Sequence, residues 1–218
     1  MNDSSFESTS IVISTGRKPK NLDVPGEKEF FGRGVTYCAT CDAPLFRNKD
    51  VAVIGGGNGA LYATLSLIDY ADIIYLLNLS NKFKCDLELI EKVNSSSKIK
   101  IINNVKIREI AGNEVVKNIR IIDGNRGDVN LAVNGIFIEI GSEPVSIPFK
   151  GVDNPLKTNS KNEIIVNEEC KTNIPGVFAA GDVTNIPHKQ VISACGQGAI
   201  AGLSAFNYIK KQPEMVNI

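Results

Sequence analysis

Asp50-Val51-Ala52-Val53-Ile54-Gly55-Gly56-Gly57-Asn58-Gly59-Ala60 is the stretch on which the reading of this chain turns. The apolar run Val51 to Ile54 predicts a buried strand, and Leu61 to Tyr70 follows with the apolar spacing of a helix. Between them Gly55 permits a tight turn, Gly57 lets backbone amides approach a pyrophosphate, and the small Ala60 allows the helix to pack closely on the strand. The start of the helix then faces phosphate charge. On its own G-x-G-x-x-A is a weak signal. A preceding strand, a following helix and a second strand over Asp72 to Leu77 make it a dinucleotide-binding pattern, with a glycine-rich packing turn as the alternative.

The end of the second strand normally carries an acid for the ribose of NAD or arginines for the extra phosphate of NADP. Here it reads Leu76-Leu77-Asn78-Leu79-Ser80-Asn81-Lys82-Phe83-Lys84, with neither. Asn78 or Ser80 is left to hydrogen-bond a ribose hydroxyl, and Lys82 or Lys84 to meet a phosphate. The choice between the two cofactors stays open.

Upstream lies Val35-Thr36-Tyr37-Cys38-Ala39-Thr40-Cys41-Asp42. Two thiols separated by two residues can close a small disulfide ring, and Asp42 is placed to pass a proton to a leaving thiolate. Zinc is the weaker reading, because four ligands are needed and the chain has one histidine, His188, and no second cysteine pair at ligand spacing. A buried, inert pair is the other alternative. Cys85, Cys170 and Cys195 have no obvious partners, and His188 reads as an exposed loop residue.

Lys plus Arg and Asp plus Glu number 24 each, so no net field favours nucleic acid or an anionic membrane. No apolar run reaches the length of a membrane span, and the polar, acidic Met1 to Ser10 resembles no targeting peptide. These features, with an odd cysteine count, suggest a cytoplasmic protein.

Elsewhere, Ile11 to Ser14 reads as a short buried strand ending at Gly16, and Pro19, Pro25 and Gly26 mark a connection. A helix is expected around Asp86 to Val93. Strands are expected over Ile99–Ile102, Val105–Ile110, Val115–Ile122, Val129–Val133 and Gly135–Ile140, with turns at Asn113 and Asp123-Gly124. Gly141 to Pro144 marks a domain boundary. Loops follow from Lys150, with short strands at Ile164–Val166 and Val177–Ala180. The latter ends in Gly181-Asp182, where an aspartate can accept a ligand hydroxyl's hydrogen bond or simply cap a turn. Gln190 to Ile209 reads as a helix rich in alanine and glycine.

Gly34 to Asp42, Val53 to Gly57, Gly176 to Asp182 and Gln190-Val191 through Ala201, with Thr15-Gly16 and Pro25-Gly26-Glu27, resemble the low-molecular-weight thioredoxin reductases. The reductase partner of alkyl hydroperoxide peroxidases shares these motifs. The resemblance implies an α/β fold: a three-layer Rossmann-like NAD(P)-binding domain (20–141, with the CxxC) inserted in a truncated FAD-binding domain (1–19 and 142–218). It implies a thioredoxin-disulfide reductase-like flavoenzyme in which NAD(P)H reduces FAD, FAD reduces Cys38–Cys41, and the dithiol reduces a thioredoxin-like protein. Cys41 would face the flavin, Cys38 attack the substrate, and Asp42 act as acid and base. Gly55, Gly57, Asn58, Ala60, Asn78 and Lys84 would hold the nicotinamide cofactor, and Thr15, Gly16, Gly181, Asp182, Gln190 and Val191 the FAD.

The chain departs from that family in two ways. The family's first FAD-binding strand, glycine loop and helix have no counterpart here. Its His-Arg-Arg signature stands as Asn78-Leu79-Ser80 with Lys84, and Asn58-Gly59 replaces its usual pair beside the nicotinamide. The apolar strands at Ile11–Ser14 and Val177–Ala180 should be covered, which suggests a homodimer or a second chain carrying the rest of the FAD site. The alternatives are a nucleotide-binding or regulatory module without flavin chemistry and a truncated remnant that needs a partner.

Overall fold

The computed structural model describes residues 7–145 and 155–211. The first six residues of the lead-in expected over Met1 to Ser10 and the start of the loop region at Lys150 lie outside them. The chain divides into an inserted unit, Pro19–Gly141, and an outer unit built from Met1–Lys18 with Ser142–Ile218.

In chain order the strands and helices are β1 (Ile11–Ile13), β2 (Arg17–Pro19), β3 (Val35–Thr36), α1 (Ala39–Asp42), β4 (Val51–Ile54), α2 (Asn58–Leu67), β5 (Ile74–Asn78), α3 (Leu87–Asn94), β6 (Ile99–Asn103), β7 (Val105–Gly112), β8 (Val116–Asp123), β9 (Gly127–Ala132), β10 (Gly135–Ile138), β11 (Ser142–Pro144), β12 (Val177–Ala179) and α4 (Val191–Lys211). A 3-10 turn over Ala43–Phe46 follows α1.

The inserted unit is a three-layer Rossmann-like domain. Its central sheet runs β3-β10-β4-β5-β6 with every pair parallel. Parallel strands are stable when both faces are covered, and β4 shows why its sequence is apolar without alternation. Val51 and Val53, with Phe137 of β10, face a helical layer with Leu61 and Leu67, while Ala52 and Ile54 face the opposite layer with Ile107, Ile119 and Ile121. That second layer is the antiparallel meander β7-β8-β9, where the alternation of buried and exposed residues reflects one dry face and one wet one.

The outer unit pairs β1 with β12 in parallel, Ile11 beside Val177 and Ile13 beside Ala179. Phe178 and Ala180 pack with Ala201 and Ala205 of α4, and Ile13, Val177 and Ala179 with Ile164 and Val183. Glu163 pins this unit from within. Burial pushes its carboxyl up, but the hydrogen bond from Asn159 and the charges of Lys189 and Arg17, at 3.2 and 2.8 Å, hold it below the ordinary range.

Several expectations are corrected. Only Ile13 of β1 is buried, with Ile11 and Val12 at 46% and 40% exposure, because the strand has a single strand partner among the described residues. Ile164–Val166 is no strand: Ile164 N–H donates to Val183, Ile165 N–H to Lys157, and Val166 N–H to the Asn185 side chain, so no continuous ladder forms. Pro19, read as marking a connection, closes a strand, Arg17–Pro19, paired with Ser142–Pro144. The CxxC stretch, which has no period long enough to predict an element, forms the single-turn α1.

Glycine is obligatory at position 26. Its φ is +85°, and a Cβ there would stand 1.9 Å from the Ile110 carbonyl oxygen. Gly32 shares the positive φ, +73°, but has nothing within 4 Å. Gly32→Ala should therefore cost only the conformational strain, about 1 kcal/mol. Gly26→Ala adds overpacking against backbone and should cost about 3 kcal/mol or more. Thermal denaturation should show a Tm loss for Gly26→Ala at least twice that for Gly32→Ala; equal losses would contradict the packing account.

Candidate active site

Three strand ends converge on one cavity. Gly55 follows β4, Asn78 closes β5, and Glu139 follows β10, and together with Gly56, Gly57, Gly59, Leu79, Ser80, Lys84, Ile140 and Gly141 they line a space of about 440 Å³. This is the crevice at the carboxyl ends of parallel strands where open α/β sheets bind ligands. Gly55 has φ +148°, and a Cβ on it would stand 2.3 Å from the Glu139 carbonyl oxygen and 2.9 Å from the Ala60 Cβ. Gly56 is as tight, with Asn78 Oδ1 at 2.2 Å from a Cβ position, whereas Gly57 has room. The turn therefore lies flat under the cavity and presents backbone at the start of α2.

A strap closes one side. Lys84 N–H donates to the Gly56 carbonyl at 2.7 Å, Asn58 Nδ2 donates to Asp86 Oδ2 at 2.9 Å, and Asp86 N–H donates to Asn58 Oδ1 at 3.0 Å. Asn58 thus spends its side chain on the strap. Asn78 is also occupied: it is buried, donates to Asn103 Oδ1 at 2.9 Å, and accepts from Ser80 N–H and Oγ at 3.2 Å. Lys84 lines the cavity and Ala60 is fully buried beneath it.

Cys38 and Cys41 form a disulfide, with Cα atoms 5.3 Å apart. Cys38 is the N-cap of α1, and its Sγ accepts from the Cys41 N–H at 3.3 Å. β3 delivers the pair by joining the sheet beside β10. Thr36 Oγ1 accepts from Cys38 N–H at 3.1 Å and donates to the Asp42 carboxylate, so one hydroxyl ties together both ends of the redox turn. Tyr37 donates to Glu27 Oε1 at 2.8 Å, and burial, reinforced by the Glu27 hydrogen bond and charge, pushes the Tyr37 hydroxyl far up. Glu27 is itself buried and accepts from the Leu22 and Asp23 backbone N–H groups.

Sequence reasoning missed Glu139. The partly buried carboxyl lines the cavity, and burial pushes it up to about 7 against the backbone N–H of Ala39, which favours the charged form. The available signal was an acid inside the otherwise apolar run Gly135-Ile136-Phe137-Ile138-Glu139-Ile140.

The outer unit gathers a second cluster by the same rule of strand ends. Thr15 and Gly16 follow β1, and Gly181 and Asp182 follow its parallel partner β12. Thr15 Oγ1 donates to the Val145 carbonyl, and Gly181 N–H donates to Gln197 Oε1 of α4 at 2.8 Å. Asp182 Oδ1 is buried with no hydrogen-bond partner among the described residues, an acceptor that suits a ligand hydroxyl. Gln190 and Val191 lie where α4 begins, Gln190 accepting from Ala194 N–H at 2.9 Å and Val191 82% exposed. His188 is an exposed loop residue. Among the described residues no group of His, Cys, Asp and Glu is gathered as a metal site, and no helix is long and apolar enough to cross a membrane.

The inserted unit thus combines a Rossmann-like sheet, a glycine-lined cavity at its strand ends and a CxxC disulfide that follows its edge strand. Residues 1–198 match the family described as pyridine nucleotide-disulphide oxidoreductase, and the chain belongs to that family. Thioredoxin reductase from Streptococcus pyogenes is similar in structure, with a TM-score of 0.83 and 34% identity over 96% of this chain and 68% of that one. An Escherichia coli protein named as a subunit of alkyl hydroperoxide reductase is 41% identical, and a protein named NADH dehydrogenase from Ferdinandcohnia aciditolerans is 40% identical, each over 94% of this chain. The chain spans 39% of the length of these two relatives.

The cysteine environments predict an order of alkylation. Cys195 is exposed; Cys85 is partly exposed, its thiol pushed up by burial and then Asp86; Cys170 is buried, which pushes its thiol up. Iodoacetamide should label Cys195 first, Cys85 slowly and Cys170 only on unfolding, and mild dithiol treatment should expose two more sites, Cys38 and Cys41. Labelling of Cys38 before reduction, read by peptide mass, would contradict the disulfide.

Proposed function

We propose that this chain works as a flavin-dependent disulfide oxidoreductase of the thioredoxin reductase type, taking electrons from NAD(P)H and delivering them through Cys38 and Cys41 to a thioredoxin-like protein. The observation that carries this reading is the disulfide at the start of α1, borne on the same parallel sheet whose strand ends form the glycine cavity. In this assignment residues 20–141 are the nicotinamide-binding domain, with 1–19 and 142–218 belonging to the FAD-binding domain. FAD would rest against Thr15, Gly16, Gly181, Gln190 and Val191, with the orphaned Asp182 Oδ1 accepting one of its hydroxyl groups. Bound there, the flavin supplies the relay of two electrons from a nicotinamide to a disulfide.

The chain's own residues perform the rest. Gly55, whose own N–H is held by the Leu77 carbonyl, and Gly57 keep the turn bare of side chains so that the start of α2 can meet the pyrophosphate, and Lys84 adds a point charge. With neither an acid nor an arginine among Asn78, Leu79 and Ser80, the site does not enforce a choice between NADH and NADPH. Two electrons and one proton break the Cys38–Cys41 bond and leave a Cys38 thiolate and a Cys41 thiol. The Cys41 N–H that reaches Cys38 Sγ stabilises a Cys38 thiolate, which makes Cys38 the attacking sulfur. That thiolate bonds to one sulfur of the substrate disulfide and expels the other. Cys41 then attacks Cys38, reforming the internal disulfide and releasing the second substrate thiol. Asp42, oriented by Thr36, moves the proton between Cys41 and the leaving sulfur. Exposed Ile11, Val12, Val191 and Ile192 are the side chains that a second copy or a second chain would cover. The relatives named for alkyl hydroperoxide reductase favour a second reading of the acceptor, in which the substrate disulfide belongs to a hydroperoxide-reducing system.

The test is the visible spectrum of the purified chain after incubation with excess FAD and desalting. A retained flavin band that NADH or NADPH bleaches without oxygen, with two new thiols appearing, is the expected result; a colourless chain would overturn flavin-dependent turnover by this chain on its own. A second expectation concerns the last step. Cys41→Ser should accumulate a mixed disulfide through Cys38 with an oxidised thioredoxin-like protein, and Cys38→Ser should not, as read by intact mass.

A further inference from the structure

Glu139 has no task in that chemistry, yet it sits in the cavity itself. Its Oε2 lies 3.5 Å from the position a Cβ on Gly59 would take, and Gly59 belongs to the first turn of α2. The N-cap of α2, Gly57, makes no side-chain cap hydrogen bond, and a helix start without a side-chain cap favours an anion. A carboxylate at this point stands where a dinucleotide's pyrophosphate would meet the helix start. Two anions in one partly desolvated space repel, and the one that can take a proton relieves the repulsion. Burial already prepares this, since it pushes Glu139 up to about 7.

We propose that Glu139 controls the nucleotide cavity by charge: a dinucleotide binds the form in which its carboxyl is protonated, so that binding takes up a proton. This rests on the cavity being the dinucleotide site proposed above. The charged groups around it do not supply the effect. The glycine turn and first turn of α2 contain no ionisable side chain. From α1 come Asp42, tied to Thr36, and the Cys38–Cys41 disulfide, which does not titrate while oxidised. From the strap come Lys84, which attracts phosphate, and Asp86, bonded to Asn58. Glu139 is left as the group whose charge changes near neutrality. Its raised value gives the sign: affinity is full at lower pH and declines as pH rises through about 7.

Calorimetric titration of the oxidised chain with NADH, whose diphosphate does not titrate between pH 6 and 8, tests this. Affinity should fall about tenfold from pH 6 to pH 8, as for one proton titrating near 7. At neutral pH the binding heat should depend on the buffer's ionisation enthalpy in the sense of proton uptake, a result that needs no variant. Glu139→Gln, which keeps the shape and removes the charge, should bind equally at both pH values and more tightly than wild type at pH 8. Flat wild-type affinity with no proton uptake, or an undiminished slope in Glu139→Gln, would overturn the proposal. Absence of NADH binding at every pH in both proteins would instead overturn the dinucleotide site on which it rests.

Discussion

The approach of Gly55 to the carbonyl of Glu139 is the contact on which this architecture depends. No side chain fits between them, since a Cβ would stand 2.3 Å from that oxygen. The closeness lets β4 turn into α2 while β10 runs on beside it, and it brings three strand ends to one cavity. Ala60 and Gly56 are small for the same reason, one facing Gly55 and the other facing Asn78. A residue that enlarged any of the three would lift the turn and displace the helix start from the cavity floor.

The disulfide turn depends on the same sheet. Phe46, at the end of the 3-10 turn after α1, packs on Gly135 so closely that a Cβ there would lie 2.2 Å from the ring, and it meets Phe137 edge-on at 5.1 Å. Thr36 and Tyr37, before the cysteines, are held by Asp42 and Glu27. The redox turn therefore lies between β3, which pairs with β10, and Phe46, which packs on β10, the strand that Glu139 follows. This gives a physical reason for the dithiol and the cavity to influence one another: both are built on the position of one strand.

Much of the fold could be read from residue patterns because the layers impose distinct ones. Two-sided burial leaves Val51–Ile54 and Gly135–Ile138 apolar without a break, and one-sided burial makes β7 and β8 alternate. The glycine turn announces itself through Gly55 and Ala60. Less was legible where elements are too short for a period to form: the single turn Ala39–Asp42, the strand Arg17–Pro19, and Ile164, whose backbone partners are loops rather than a neighbouring strand. Burial of β1 was overstated because an apolar tripeptide says nothing about how many neighbours will flank it. In the cavity, residue types alone could not show that Asn58 and Asn78 are occupied by Asp86 and Asn103, or that an acid at the end of an apolar strand lies at the start of α2.

The central claim is that the cavity at the ends of β4, β5 and β10 binds a nicotinamide dinucleotide in the same unit that carries the disulfide. The most direct measurement is an amide NMR titration of the isotope-labelled chain with NADH. The account predicts shifts concentrated at Gly55–Ala60, Asn78–Lys84 and Glu139–Gly141. Shifts centred elsewhere, or none at saturating NADH, would contradict it.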